Sequence, residues 1–177
     1  TLIELPPNGQ GLTAIMMKKM MQFCNIERFG ADSFERIHLE AEIAKIAYSA
    51  RNNFIGDPDF SEVKQDIFLE NSYLEGLSRE ISFGKVLTHS LGDDFFSRNK
   101  DTVLICAADN EGNAISLIFS TFHAFGSGLC SEKYGLLFHN RGAGFVLKKD
   151  HPNELLGGKR PLHTIIPSIL KEKNGSI

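Results

Sequence analysis

The chain has no tryptophan and only three cysteines and six prolines in 177 residues. Cys24, Cys106 and Cys130 are an odd number at wide spacings, which excludes a disulfide framework and a metal-finger signature. Reduced, mostly buried thiols are expected. No apolar run approaches the about 18 residues that would cross a bilayer, so no membrane-spanning segment is expected. An excess of one charge is also missing. Nineteen basic and 22 acidic residues give a net charge of −3 and a pI near 6.1, which speaks against a basic nucleic-acid binder. There is no His-Glu-x-x-His, no Walker loop and no dinucleotide-binding glycine fingerprint, and Gly126-Ser127-Gly128 has too few glycines for a phosphate loop. No metal or cofactor is expected. No basic flank and apolar run mark a signal peptide. A soluble chain is expected, the cytoplasm slightly favoured over the periplasm, and Thr1 in place of methionine hints that residue 1 is not the natural start.

What is present is ordinary for a globular domain: 42% hydrophobic and 23% charged residues. That excludes intrinsic disorder. The chain has two textures. Residues 1–83 read as helical. After the Pro6-Pro7-Asn8-Gly9 turn, Leu12 to Phe23 suits a helix. Its Met16, Met17, Met20 and Met21 form a pliable core stripe or, alternatively, a partner groove. A second helix is expected from Asp32, with Glu35 completing a capping box and Phe34, Ile37, Ala41, Ala44 and Tyr48 as its apolar stripe. A third should start at Ser72, capped by Glu75, and present Leu74, Leu77 and Ile81. His38 and His89 read as surface or satisfied histidines rather than ligands, since neither has a second ligand at i+4.

Residues 84–101 read as a polar, exposed linker. From Thr102 the pattern becomes strand. Thr102–Ala108, a turn at Asn110-Glu111-Gly112-Asn113 and a return strand from Ala114 to Phe122 make a hairpin. It is apolar on both faces, so the interior of a covered sheet is expected. Further strands are expected at Tyr134–His139 and Thr164–Leu170, with a last turn over Lys171–Gly175.

The junction of linker and strand carries the chemistry. Were the Asp101–Thr102 bond cut, Thr102 would hold both a hydroxyl and an α-amine of pKa near 7.7–8.0. Such an amine can act as general base for its own hydroxyl.

The residues around this junction point the same way. Glu4-Leu5-Pro6-Pro7-Asn8-Gly9-Gln10-Gly11 resembles a segment of the γ-glutamyltransferase (γ-glutamyltranspeptidase) family. Asp101-Thr102, Asp109-Asn110-Glu111-Gly112-Asn113-Ala114, Phe125-Gly126-Ser127-Gly128 and Lys159-Arg160-Pro161-Leu162 followed by Pro167 resemble the start of that family's small subunit. The resemblance runs over nearly the whole chain, in order, and implies an N-terminal-nucleophile (Ntn) hydrolase. The implied fold class is α+β, part of a four-layer αββα sandwich. Residues 1–83 would be the helical C-terminal part of the large subunit, 84–101 the linker before the processing site Asp101–Thr102, and 102–177 the β part that opens the small subunit. Thr102 would be the nucleophile, and Ser120 would take the place of a second threonine that bonds the nucleophile's amine. His163 and Thr164 would replace a serine pair that contacts the substrate's carboxylate end, with the histidine imidazole changing that contact. The partners implied are a small-molecule amide substrate and the remainder of both subunits, without nucleic acid.

The departures narrow the branch. Typical transpeptidases carry asparagine at Phe122, glutamine at Arg141 and a substrate-binding aspartate at Gly144. The segments Asn140–Phe145, His151-Pro152-Asn153 and His163–Pro167 look more like the γ-glutamyltransferase-like, cephalosporin-acylase-like or oxamate amidohydrolase branch. Arg141 would favour a substrate carboxylate by bidentate pairing; alternatively it is a structural loop arginine. The resemblance also places a glycine-pair oxyanion loop after residue 177 and a substrate-binding arginine before residue 1, so the chain reads as a fragment. Two functions remain open. One is a threonine amidohydrolase or γ-glutamyl transferase that matures by autoproteolysis. The other is a non-catalytic or unprocessed fragment acting only as a structural or interaction module.

Overall fold

The computed structural model describes residues 1–61, 64–88 and 102–172. Leu2–Ile3 forms a short strand, β1, and the turn at residues 6–9 leads into helix α1, Gly11–Phe23. Met16 and Met20 are wholly buried, while Met17 and Met21 pack against the same core. The methionine stripe is therefore a core stripe.

Helix α2 spans Phe34–Phe54. Its cap is Ser33, one residue beyond the expected Asp32, and the Ser33 Oγ accepts from the Arg36 amide at 3.3 Å. The buried face also differs from the expected stripe. Leu39, Ile43, Ile46, Ala47 and Ala50 are buried, whereas Phe34, Ile37, Ala41 and Tyr48 face outward. The reason is physical. The helix carries two apolar stripes, and the one that meets α1 is interrupted by Glu42 and Arg51, both buried. Each charge is satisfied locally. Glu42 pairs with Lys45 at 2.6 Å and accepts the Leu87 amide at 2.9 Å. Burial alone would raise its carboxyl pKa, but the bonds from Lys45 and Leu87 bring it below the usual value. Arg51 donates to Gln10 Oε1 at 2.7 Å and Asn52 Oδ1 at 2.9 Å.

Helix α3, Asn71–Ser78, starts one residue earlier than expected and lacks a side-chain cap; Glu75 does not serve as one. Leu74 is its fully buried residue, packed in one cluster with Met16, Met20, Ile43, Phe68 and Leu162. His38 is satisfied, its Nε2 lying 3.0 Å from the Ser82 carbonyl. Of the expected linker, Leu87 is buried under α2. His89 and Asp101 lie outside the described residues, as does most of the expected last turn.

Strands β2, Val103–Ala108, and β3, Ala114–Phe119, form an antiparallel hairpin with Val103 opposite Phe119 and Ala108 opposite Ala114. The turn is closed by Asp109. Its Oδ1 accepts the Glu111 and Asn113 amides, its Oδ2 accepts Asn113 Nδ2, and Gly112 supplies the positive φ of 85°. The expected covering of this sheet is not found among the described residues: every β2 residue is exposed. Apolar side chains on both faces need a partner on both faces; among the described residues only one face of β3 is partly covered, at Ala114, Ser116 and Ile118. Cys106, in β2, and Cys130 are exposed, and Cys24 is half-buried, against the expectation of buried thiols.

Two expected strands shrink. Tyr134–His139 makes a single bridge, Cys130 with Leu137. The last strand, β4, is only Ile169–Leu170, because its antiparallel partner β1 is only two residues long. The described residues thus combine three α-helices with two two-stranded sheets. No described helix is long and apolar enough to cross a membrane.

Candidate active site

The hairpin register puts Thr102 across from Ser120, one step beyond the Val103–Phe119 pair. The two hydroxyls share a hydrogen bond of 3.1 Å. Ser120 Oγ also accepts from the Phe122 amide at 3.1 Å and from Arg141 Nη2 at 3.1 Å. The Thr102 hydroxyl donates the bond between them, so Ser120 Oγ accepts from Thr102, Phe122 and Arg141.

Arg141 is brought here by the one-turn 3-10 segment Arg141–Gly144. That segment is tied to the end of the hairpin: Asn140 donates its amide to the Thr121 carbonyl, and its Oδ1 accepts the His123 amide. Arg141 Nη1 donates to Thr164 Oγ1 at 3.2 Å. Thr102, Ser120, Arg141 and Thr164 therefore form one hydrogen-bonded line. The guanidinium is 5% exposed and lies 4.8 Å from the Phe122 ring centroid. Burial pushes its pKa down. Among the described residues no carboxylate pairs with it.

Phe122 is itself 1% exposed and sits at φ +78°, a left-handed backbone rarely taken by an aromatic residue. A Cβ on Gly144 would lie 3.6 Å from Phe122 Cζ. The three positions singled out in sequence as departures, Phe122, Arg141 and Gly144, are thus one packed unit. The Phe122 ring lines the space into which a side chain at Gly144 would project.

His163 lies beside the line without joining it by a side-chain hydrogen bond. Burial, then the charges of Arg141, His139 and Arg160, push its imidazole below the ordinary value.

Several supporting residues carried no signal of their own in the sequence. Asn153, 2% exposed, donates to the Gly144 carbonyl and accepts the Leu162 amide, joining the two loops of the site. Asn8 Nδ2 donates to the Pro161 carbonyl at 2.6 Å and Gln10 Nε2 to the Thr164 carbonyl at 3.0 Å. Asp57 and Asp59 bind Arg160 from across the chain. Most of these partners are far apart in sequence; their trace there is that Asn8, Gln10, Asn153 and Arg160 belong to segments whose pairing spacing does not reveal. Among the described residues no group of three or more His, Cys, Asp or Glu is placed to hold a metal.

The chain has relatives of known family. The gamma-glutamyltranspeptidase family matches residues 1–177. The glutathione hydrolase-like YwrD proenzyme of Bacillus subtilis is 29% identical over 170 residues, 96% of this chain and 31% of that protein. The oxamate amidohydrolase proenzyme of Klebsiella pneumoniae is 30% identical over 177 residues, 100% of this chain and 32% of that protein. The crystal structure of cephalosporin acylase from Bacillus halodurans superposes with a TM-score of 0.82 at 30% identity, covering 99% of this chain and 31% of that one. The chain spans about a third of the length of these relatives. With sequence and fold matched from end to end, the chain belongs to the gamma-glutamyltranspeptidase family.

Proposed function

We propose that the parent of this chain is an Ntn-type threonine amidohydrolase that cuts itself before Thr102. The hydrogen-bonded line from Thr102 through Ser120 to Arg141 and Thr164 carries this reading. In the precursor the Thr102 hydroxyl attacks the Asp101 carbonyl, and the resulting ester is hydrolysed. Residues 1–83 then end the large subunit, 84–101 form the linker, and 102–177 open the small one. The exposed apolar faces of the hairpin become inner faces of a four-layer αββα sandwich once the rest of both subunits is in place.

In turnover the freed Thr102 amine takes the hydroxyl proton as Oγ attacks a substrate amide carbonyl. The C–N bond breaks, the amine product leaves with a proton, and an acyl-Thr102 ester remains. Water or a second amine then releases the acyl group. Ser120 holds the nucleophile and is not itself the attacking group. His163 and Thr164 line the substrate's carboxylate end.

Arg141 governs the choice of substrate. A buried guanidinium that has no carboxylate partner among the described residues attracts an anionic group and repels an ammonium. Gly144 has no side chain with which to hold an α-ammonium. Amides of N-acyl or oxamate type with a free carboxylate should therefore compete with glutathione and can exceed it. The alternative of a non-catalytic module has no observation in its favour, since both curated relatives named above are proenzymes.

The test uses the full-length parent. The smaller product should begin Thr-Val-Leu-Ile, and Thr102→Ala should abolish both the cut and amide hydrolysis. A Thr102→Ala protein still cut at this bond sinks the reading. Glutathione and its des-amino analogue, assayed side by side, test the substrate. A strong preference for glutathione that survives Arg141→Ala overturns the role of Arg141.

A further inference from the structure

Residues 160–164 are held one after another. Asp57 Oδ2 accepts the Arg160 amide at 2.8 Å and Nε at 3.0 Å, and Oδ1 accepts Nη2 at 2.5 Å. Asn8 holds the Pro161 carbonyl through its side chain and the His163 amide through its own carbonyl. Asn153 holds the Leu162 amide, and Gln10 the Thr164 carbonyl. Asn8, Gln10 and Asp57 precede Thr102 in the chain, whereas the segment they hold follows it. After the proposed cut, one polypeptide would hold the substrate-facing segment of the other.

Asp57 differs from the other holders in charge. It is 1% exposed, and the Arg160 hydrogen bonds bring its carboxyl down to about 2. A fork on the guanidinium fixes that group's plane, and the third bond fixes the backbone beside Pro161. The proline ring then fixes its own φ. Leu162 is 1% exposed, anchored in the helical core. Thr164 follows, with its hydroxyl on Arg141. A displacement at Arg160 is passed on through this short, pinned stretch because no free residue lies between to absorb it.

We propose that Asp57 is a positioning residue for substrate binding across the subunit boundary, setting through Arg160 the place of the Pro161–Thr164 segment and so of Thr164 and Arg141 beside Thr102. This rests on the reading of Thr164 and Arg141 as substrate contacts given above. Asp57 itself touches no substrate. Its effect belongs in KM, because the segment it holds lies at the bound end of the substrate and not at Thr102.

The experiment compares full-length, cut protein with Asp57→Asn, Asp57→Glu and Arg160→Lys variants on glutaryl p-nitroanilide, an amide with a free carboxylate and no α-ammonium. Thr164→Val is assayed in parallel, and urea unfolding is followed for each. Asp57→Asn should raise KM about tenfold with kcat within about threefold, a loss of binding rather than of chemistry. Asp57→Glu should recover part of the KM, and Arg160→Lys, which keeps the charge but loses the fork, should fall between. An unchanged KM in Asp57→Asn beside a raised KM in Thr164→Val overturns the positioning role and leaves the site reading intact. An unchanged KM in Thr164→Val overturns the site reading beneath it. Lower urea stability with unchanged KM would assign the pair to folding alone. If neither Asp57→Asn nor Arg160→Lys is cut, the pair serves folding and the proposal fails.

Discussion

The helical part and the hairpin are both rich in apolar residues, yet they treat them in opposite ways. In the helices Met16, Met20, Ile43 and Leu74 have no exposure at all. In the hairpin Val103, Leu104, Ile105, Ile115, Leu117 and Phe119 are all exposed. Composition alone does not separate the two sets. What separates them is whether a neighbour within these residues faces them. Helices α1, α2 and α3 cover one another, whereas a two-stranded sheet has two faces and two edges and here meets too few partners to close any of them. Under the proposed function, the hairpin is the side on which the remainder of both subunits would dock.

Four measurements would break or sharpen that contrast. The largest effect is expected in the helical core. Ile43→Ala should cost about 2–5 kcal/mol in urea unfolding, the range for a large-to-small change at a buried site. A loss below about 1 kcal/mol would mean that this core is not the organising one. Next comes the polar end of the hairpin, where chemistry rather than packing is at stake. Ser120→Ala in the full-length, cut protein should slow turnover about tenfold to a hundredfold, the scale of one hydrogen bond to a reacting group. Full activity would remove Ser120 from the proposed site.

A pH titration reads the connection between the two parts. The Asp57 carboxyl lies at about 2, below its ordinary 3.8, chiefly through the Arg160 hydrogen bonds. Its pKa is depressed in the folded state, so the stability it contributes is complete above about pH 4 and is lost as pH falls toward 2. Unfolding midpoints of the wild type should drop through that window, and those of Asp57→Asn should drop less. Parallel curves would contradict the assignment. The smallest effect is expected at Leu117. In the 177-residue chain, Leu117→Ala should change stability by less than about 0.5 kcal/mol, as for an exposed position. In the full-length parent the same change should cost several times more. An equal cost in both would show that nothing further covers the hairpin.

Much of this was readable from the sequence, and the failures have distinct causes. The three helices followed from period and turn signals. The inward face of α2 did not, because Glu42 and Arg51 break the buried stripe while Phe34, Ile37 and Tyr48 make a cleaner one outside. The hairpin and its turn were legible because their pairing is local. Tyr134–His139 was not, since a strand needs a continuous partner and among the described residues it forms only one β-bridge, Leu137 with Cys130. The 3.1 Å bond joining Thr102 and Ser120 follows from hairpin register. Arg141 and Thr164 could be singled out only through the family resemblance, and their hydrogen bond only in three dimensions. The Asp57–Arg160 pair spans 103 residues, a distance over which neither period nor motif spacing carries information.

The Asp109 turn has a consequence in time. Its carboxylate gathers the amides of Glu111 and Asn113 and the Asn113 side chain, all within four residues of itself. Contacts this local close without waiting for a distant segment, and isolated hairpins form in about 1–10 μs. The bonds that bring Arg160 to Asp57 must instead close a loop of some hundred residues and come later. Thr102 and Ser120 should therefore meet early in folding, while the Arg160–Thr164 segment is still unplaced, so that under the proposed function the nucleophile is assembled before the pocket that would restrain it.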